Sequence, residues 1–411
     1  MTTSQTHPGH GLDLDFVHAC FAGIAPEWRF LDNAGGSFAL RETARRVARY
    51  IEETPLQLGG KYPLSLQAAD RQAEATAALA GMINARHVEE VVLGGSASAL
   101  TWRVARAIQP LLSQGDEIVI TRSDHEANRS PWLALRRFGI VVHEVAINRE
   151  TWQLDGEQLR ALLGERTRLV AINHCSNILG SIEPIRDIAD DVHAVGARLF
   201  VDSVAYAPHR AIDVQELGAD YVVMSLYKIF GPHLGLLWGR REELIGLDNL
   251  NHEYLAADDI PYKLQPGGAS YELVYGAAAI PEYLASLDEQ AGGTGDIANA
   301  WRIIRTHEDA LQAPLLDSLH AHEDVELLGK AEITGRLPII SFVSKTMSSA
   351  NIVAGLQERR IACRAGHFHA RRLLESLDID PIDGAVRISF AHYNTQEDSA
   401  AVIAALEEIL T

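Results

Sequence analysis

Cysteine is scarce in this chain. Three residues, Cys20, Cys175 and Cys363, are spread over 411 positions with no CxxC spacing. That pattern argues against a disulfide framework and a thiolate zinc site, and it fits a reducing, cytoplasmic setting. Histidine is plentiful at seventeen, yet no third ligand of suitable spacing accompanies the tight pair His367 and His369. No metal is therefore expected. Positive charge is also short: 36 Lys and Arg stand against 55 Asp and Glu, a net charge of −19. Nucleic acid and anionic membrane both select basic patches, so neither is expected as a partner. Apolar runs fall far short of the roughly 20 residues a membrane helix needs. The opening stretch has no basic n-region or apolar core, so it reads as a loosely held arm over 1–15 and not as a signal peptide.

What is present is the composition of a globular protein, 47% apolar and 22% charged, with length enough for two domains. The chain is organised around residues 219–239. Tyr221 to Met224 reads as a buried strand and leads into Ser225-Leu226-Tyr227-Lys228. A Gly231-Pro232 turn and a second apolar run, Gly235 to Trp238, follow. Burial disfavours an ammonium ion, so a lysine at the lip of such a strand is a candidate nucleophile. Taken alone, Lys228 reads more readily as a surface lysine in a strand-to-turn connection.

The upstream pattern adds weight. Strands are predicted at 90–93, 117–120, 140–145, 168–172 and 198–201. Helices are predicted at about 42–54, 66–85, 100–112, 126–138 and 185–196. Strands alternating with helices argue for a mostly parallel sheet covered on both faces, a large domain over 16–285, with packing of its first part on the small domain left open. Ligands of such sheets sit outside the carboxyl ends of the strands. His125, Asn177, Asp202 and Lys228 all fall at such ends. The turn Gly94-Gly95-Ser96-Ala97-Ser98 opens a helix and suits a phosphate, although Ser96 or Ser98 as a plain helix cap explains it as well. Beyond Gly239 come a loop through Tyr271, helices at about 274–288 and 296–320, and then strands and helices in alternation. These predict a smaller α/β domain over 286–411.

Several spaced motifs resemble one family. LDNAGGS (31–37), GGSASAL (94–100), DHEANRSPW (124–132), SNILGSIEP (176–184), VDSVAYAPH (201–209), SLYKIFGPHLG (225–235), RAGH (364–367) and VRISFAHYNT (386–395) occur in the order seen in aminotransferase class V, in its cysteine desulfurase-like branch. The resemblance implies a fold type I α/β enzyme that uses pyridoxal 5'-phosphate and works as a homodimer. It implies that Lys228 holds the cofactor covalently, that Asp202 lies under the pyridine nitrogen, and that His125 stacks on the ring. It implies phosphate contacts from Ser96, the Ala97 amide and Ser225, with Tyr271 reaching the partner's phosphate. Asn177 falls near the ring oxygen. Asn33, Ala34, Asn177, Arg364 and Arg387 fall around the substrate carboxylate, where a planar guanidinium suits two-point contact.

Two departures bear on function. The position that holds the sulfur-accepting cysteine in the nearest desulfurases is His369 here, and Cys363 lies on a predicted strand pointing elsewhere. Imidazole cannot carry sulfane sulfur, but it can exchange protons near neutral pH. Ala205 stands where relatives carry a glutamine or histidine, so Tyr206 or Tyr227 is expected to contact the cofactor oxygen. The expected activity is a lyase on an amino acid with a leaving group, most plausibly cleaving C–S, with Lys228 and His369 moving the protons. Transamination, Cα epimerisation and a desulfurase homologue without turnover are the alternatives.

Overall fold

The computed structural model describes residues 11–24 and 27–411. Most of the predicted arm lies outside them, but its end does not behave as one. Leu14–Cys20 is a helix, capped by the Asp13 carboxylate accepting from the Phe16 amide at 3.1 Å. Val17 and Phe21 are fully buried, and the Phe21 ring meets Phe230 and Tyr283 edge-on at 5.4 and 5.5 Å. Those apolar side chains anchor a segment whose polar start suggested otherwise.

Seven strands form the large sheet: β1 (Val91–Gly94), β2 (Glu117–Thr121), β3 (Val141–Val145), β4 (Thr167–Asn173), β5 (Arg198–Asp202), β6 (Tyr221–Ser225) and β7 (Gly235–Gly239). Their order is β1-β7-β6-β5-β4-β2-β3. Only β7 runs antiparallel to its neighbours. Side chains alternate between two apolar clusters. Val201, Val222 and Met224 pack on one face, and Phe200, Tyr221 and Val223 on the other. Burial on both faces explains why these strands read as continuous apolar runs. The register sets Asn173 beside Asp202 and Ser225 beside Gly235. Polar residues that follow the strands therefore collect along one edge.

A second, antiparallel sheet joins β8 (Val325–Leu328), β9 (Ile339–Ser344), β10 (Arg364–Gly366) and β11 (Ala385–Ser389) in the order β8-β9-β11-β10. Helices 297–321, 349–358 and 396–409 pack against it around Phe342, Ile388 and Leu406. Its register sets Arg364 directly opposite Arg387. Arg29–Phe30 pairs with Ile361–Ala362, and Asp32 bridges to Ser389. Residues 29–34 thus adjoin this sheet through the Asp32 bridge, far in sequence from the rest of it.

Two predicted helices are interrupted. The one over 126–138 is three short pieces, Glu126–Asn128, Ser130–Leu133 and Ala134–Phe138. Pro131 has no amide to donate, and the His125 ring accepts from the Ala127 amide at 3.0 Å, which favours a tight turn over a helix. The one over 274–288 breaks at Ala278 into Tyr271–Ala277 and Ala279–Gln290, because Pro281 leaves the Ala277 carbonyl without its donor.

One close approach positions the helix that follows β1. A Cβ at Gly235 would lie 2.4 Å from the carbonyl carbon of Ser96 and 2.6 Å from the Ala97 nitrogen. Both are backbone atoms and cannot swing aside. Gly235→Ala is expected to destabilise the chain by about 1–3 kcal/mol, as overpacking does, read as an earlier urea midpoint.

Candidate active site

Lys228 closes a 3-10 turn, Leu226–Lys228, directly after β6 and is buried. Burial lowers its ammonium to about 8. Arg387 acts in the same direction, and Asp202 and Asp32 oppose it. Such an amine is substantially neutral at mildly alkaline pH and can attack a carbonyl or take a proton.

Lys228 lies between two connected chambers. The inner chamber is walled by the strand ends. Asp202 ends β5, and one of its oxygens accepts from the Val204 amide at 2.9 Å. Burial raises its carboxyl to about 6, while that hydrogen bond and Lys228 hold it down. Asn173 ends β4 and donates to the Ser123 carbonyl at 3.0 Å. Asn177 donates to the Phe368 carbonyl at 2.9 Å. The side-chain oxygens of Asn173 and Asn177 are buried with no partner among the described residues. A buried acceptor left unpaired is costly, so the chamber is built for something that supplies donors.

The helix Ala97–Ile108 points its start at this chamber. Ser96 caps it by accepting from the Ala99 amide at 3.1 Å, and Ala97, Ser98 and Thr101 line the wall. The first amides of a helix have no intrahelical partner, and the dipole favours an anion there. Ser225 and Ala205 complete the wall.

The outer chamber is walled by the small sheet. Arg387 is buried and donates to the Asn177 carbonyl and to Asp32, each at 3.1 Å, while its Nε has no partner among the described residues. Arg364, half-exposed, grips Asp32 through Nε and, at 3.2 Å, Nη2. The Phe368 ring lies 3.8 Å from the Arg387 guanidinium carbon and 5.8 Å from that of Arg364. Burial pulls Arg387 down to about 10, against the pull of Asp32.

Two histidines share the rim, with ring centroids 5.0 Å apart. His125 is held by the Ala127 amide donating to its Nδ1. Burial lowers it to about 3, helped by Lys228, His369 and Arg387, so it is neutral at physiological pH. His369 is exposed on a loop with φ of 45° and 60° at Phe368 and His369. Its carbonyl accepts from the Glu126 amide at 2.7 Å, which ties that loop to the turn carrying His125.

The chambers therefore gather Ala97, His125, Asn177, Asp202, Ser225, Tyr227, Lys228, Arg364, His369, Arg387 and Ala34, with Ser96 capping the adjoining helix. Three expected residues stand apart. Asn33 does not line the cleft. Its amide donates to the carbonyls of Phe30 and Ser389 and to Asn394, and its oxygen accepts from Tyr393, so both ends of the side chain are engaged within the protein. Tyr271 packs toward Tyr50, centroids 6.5 Å apart, outside both chambers of its own chain. Tyr206 stacks on His174 at 3.5 Å and does not line the inner chamber, whereas Tyr227 does. Cys363 is buried among the apolar residues of the small sheet, its thiol pushed up to about 12. Asp32, Asn173 and Phe368 are the residues missed. Asp32 was legible within LDNAGGS as a lone acid, but its partners lie 332 and 355 positions away.

A family model described as "Aminotransferase class-V" matches residues 29–402. The chain is 38% identical to the "Aminotransferase-like protein FGM3" of Gibberella zeae, covering 97% of this chain and 98% of that one. It is 32% identical to the "Cysteine desulfurase-like protein ustD" of Aspergillus flavus, covering 97% and 91%. Among solved structures, an apo cysteine desulfurase from Thermococcus onnurineus NA1 superposes with a TM-score of 0.84 over 100% of this chain and 99% of that one, at 23% identity. Strand ends gathered around a buried lysine and a match over nine-tenths of the length agree: the chain belongs to the aminotransferase class V family, and it is a pyridoxal-phosphate-dependent enzyme of fold type I.

Proposed function

We propose that this chain is a lyase that eliminates a leaving group from the β-carbon of an amino acid, most directly by cleaving C–S. The donor set fits pyridoxal phosphate. The helix start at Ala97 and Ser98, with Ser225, suits its phosphate. Asp202 suits its pyridine nitrogen, since a buried acid near 6 prefers a hydrogen-bonded cation beside it. The unpaired oxygens of Asn173 and Asn177 suit polar atoms of a bound molecule. His125, kept neutral, suits the face of an aromatic ring. When bound, the cofactor supplies an aldehyde for Lys228 and the substrate amine and a ring that withdraws the electron pair left at Cα.

The remaining steps belong to side chains. Arg387, with Arg364, holds the substrate carboxylate. Lys228 Nζ takes the Cα proton. The Cβ–S bond breaks, and His369 at the rim gives the departing sulfur its proton. Water then converts the three-carbon remainder into pyruvate and ammonia. The observation that carries this reading is the rim itself. An exposed imidazole, not a thiol, stands 5.0 Å from His125, and Cys363 is buried elsewhere. The similarity to a protein named aminotransferase-like favours transamination as the second reading. The same lysine would serve, with a keto acid as second substrate. The fold and the position of Tyr271 outside its own chambers support a homodimer in which that loop serves the partner subunit.

Three outcomes test the proposal. Capture of pyridoxal phosphate by the cofactor-free protein, trapped with borohydride, should rise with pH to a midpoint of about 8, because only the neutral Lys228 amine attacks. Lys228→Ala should trap none at residue 228 by peptide mass. A cysteine S-conjugate should yield pyruvate and thiol without added keto acid. His369→Ala should slow that turnover by about 100-fold, the low end for a lost general acid. Turnover that requires a keto acid would favour the second reading instead.

A further inference from the structure

The carboxylate seat already holds a carboxylate. Asp32 lies between the two guanidiniums that the proposed function assigns to the substrate. Its Oδ1 accepts from Arg364 at 3.2 Å and from Arg387 at 3.1 Å, and Arg364 Nε reaches its other oxygen. The arrangement is built in. Asp32 follows the strand paired with Ile361–Ala362 and bridges to Ser389, which puts it alongside both arginine-bearing strands. Gly35 leaves room for the pair, because a Cβ there would lie 2.2 Å from Arg364 Nη2. Phe368 covers Arg387 at 3.8 Å and keeps water from that face, so the charges there act on one another more strongly than in bulk water. Two cations facing one internal anion leave a single net positive charge.

We infer that Asp32 is a specificity-determining residue: an internal carboxylate that competes for the arginine pair and rejects ligands offering a carboxylate alone. This rests on the arginine pair being the substrate seat. Binding a substrate is then an exchange of one carboxylate for another, which gains little by itself. An amino acid adds a second anchor, its amine at the Lys228 end of the cleft. A simple carboxylic acid has no such anchor and cannot displace Asp32 at modest concentration. A residue that only positioned the arginines would behave in the opposite way, since its loss would weaken carboxylate binding.

The sign of one substitution separates these. Propionate and L-alanine are titrated calorimetrically into the holoenzyme, into Asp32→Asn and into Arg364→Gln. Propionate should bind Asp32→Asn about tenfold tighter or more, because removing a nearby like charge outweighs the lost alignment. The preference for alanine over propionate should shrink accordingly. Gly35→Ala keeps every charge but displaces the Arg364 guanidinium from the seat, so it should weaken both ligands. Propionate binding that is unchanged or weaker in Asp32→Asn, with both ligands lost in Arg364→Gln, overturns the role of Asp32 alone. Binding indifferent to Arg364→Gln removes the seat itself, and with it the carboxylate assignment of the proposed function. Asp32→Ser is read the same way if the asparagine variant does not fold. Failure of both to fold also overturns the inference, since the seat is argued to persist without the carboxylate.

Discussion

The desolvation of Lys228 is the constraint on which the rest of the site depends. A buried ammonium is unstable unless anions compensate it, and here Asp202 and Asp32 compensate only in part. The amine is left near neutrality because it sits at the end of a strand buried on both faces, in a turn that the Gly235 pairing keeps tight. The acid at the end of the neighbouring strand is shifted toward neutrality by the same burial. The two groups lie near enough to shift one another, so each is tuned by an environment the other helps to make. An amine and an acid poised in this way are what reversible carbonyl chemistry needs.

Around that pair, the molecule brings together three stretches that are remote in sequence. The large sheet supplies the inner chamber through the ends of β4, β5 and β6. The small sheet supplies Arg364 and Arg387, set face to face by antiparallel register. Residues 29–34, near the start of the chain, close the gap by adjoining the small sheet, and they bring Asp32 with them. The cleft therefore lies between the two sheets, and neither sheet alone holds a complete site. The loop over 366–369 lashes them together. Its backbone carbonyls accept from Asn177 and from the Glu126 amide, and its phenyl ring covers Arg387.

The rim of the cleft carries an exposed imidazole on a strained loop. His369 occupies a backbone conformation with positive φ that costs free energy for a residue with a side chain. The loop keeps it because the carbonyls on either side are satisfied across the cleft. The imidazole is thereby presented to solvent beside a second, buried histidine. In the proposed reaction these two imidazoles divide proton transfer from ring contact.

Much of this was readable in the residues. Continuous apolar runs spaced by helical stretches specify a parallel sheet, because strands covered on both faces exclude polar side chains. Polar residues placed directly after such runs must lie along one edge, and so Asn177, Asp202 and Lys228 could be grouped before any coordinates were known. Other features came only from the fold. Nothing local marks Asn33 as a structural bracket: its partners, Ser389, Asn394 and Tyr393, come from the far end of the chain. Nothing local marks Asp32 as the counter-ion of two arginines more than 300 positions away, or Phe368 as their cover. Periodicity and turn chemistry act over a few residues, so the sequence by itself determined the strands, their ends and the reactive lysine. Pairings between distant segments depend on how two sheets and the N-terminal stretch pack, and only the tertiary structure decided the charge balance around the arginine pair.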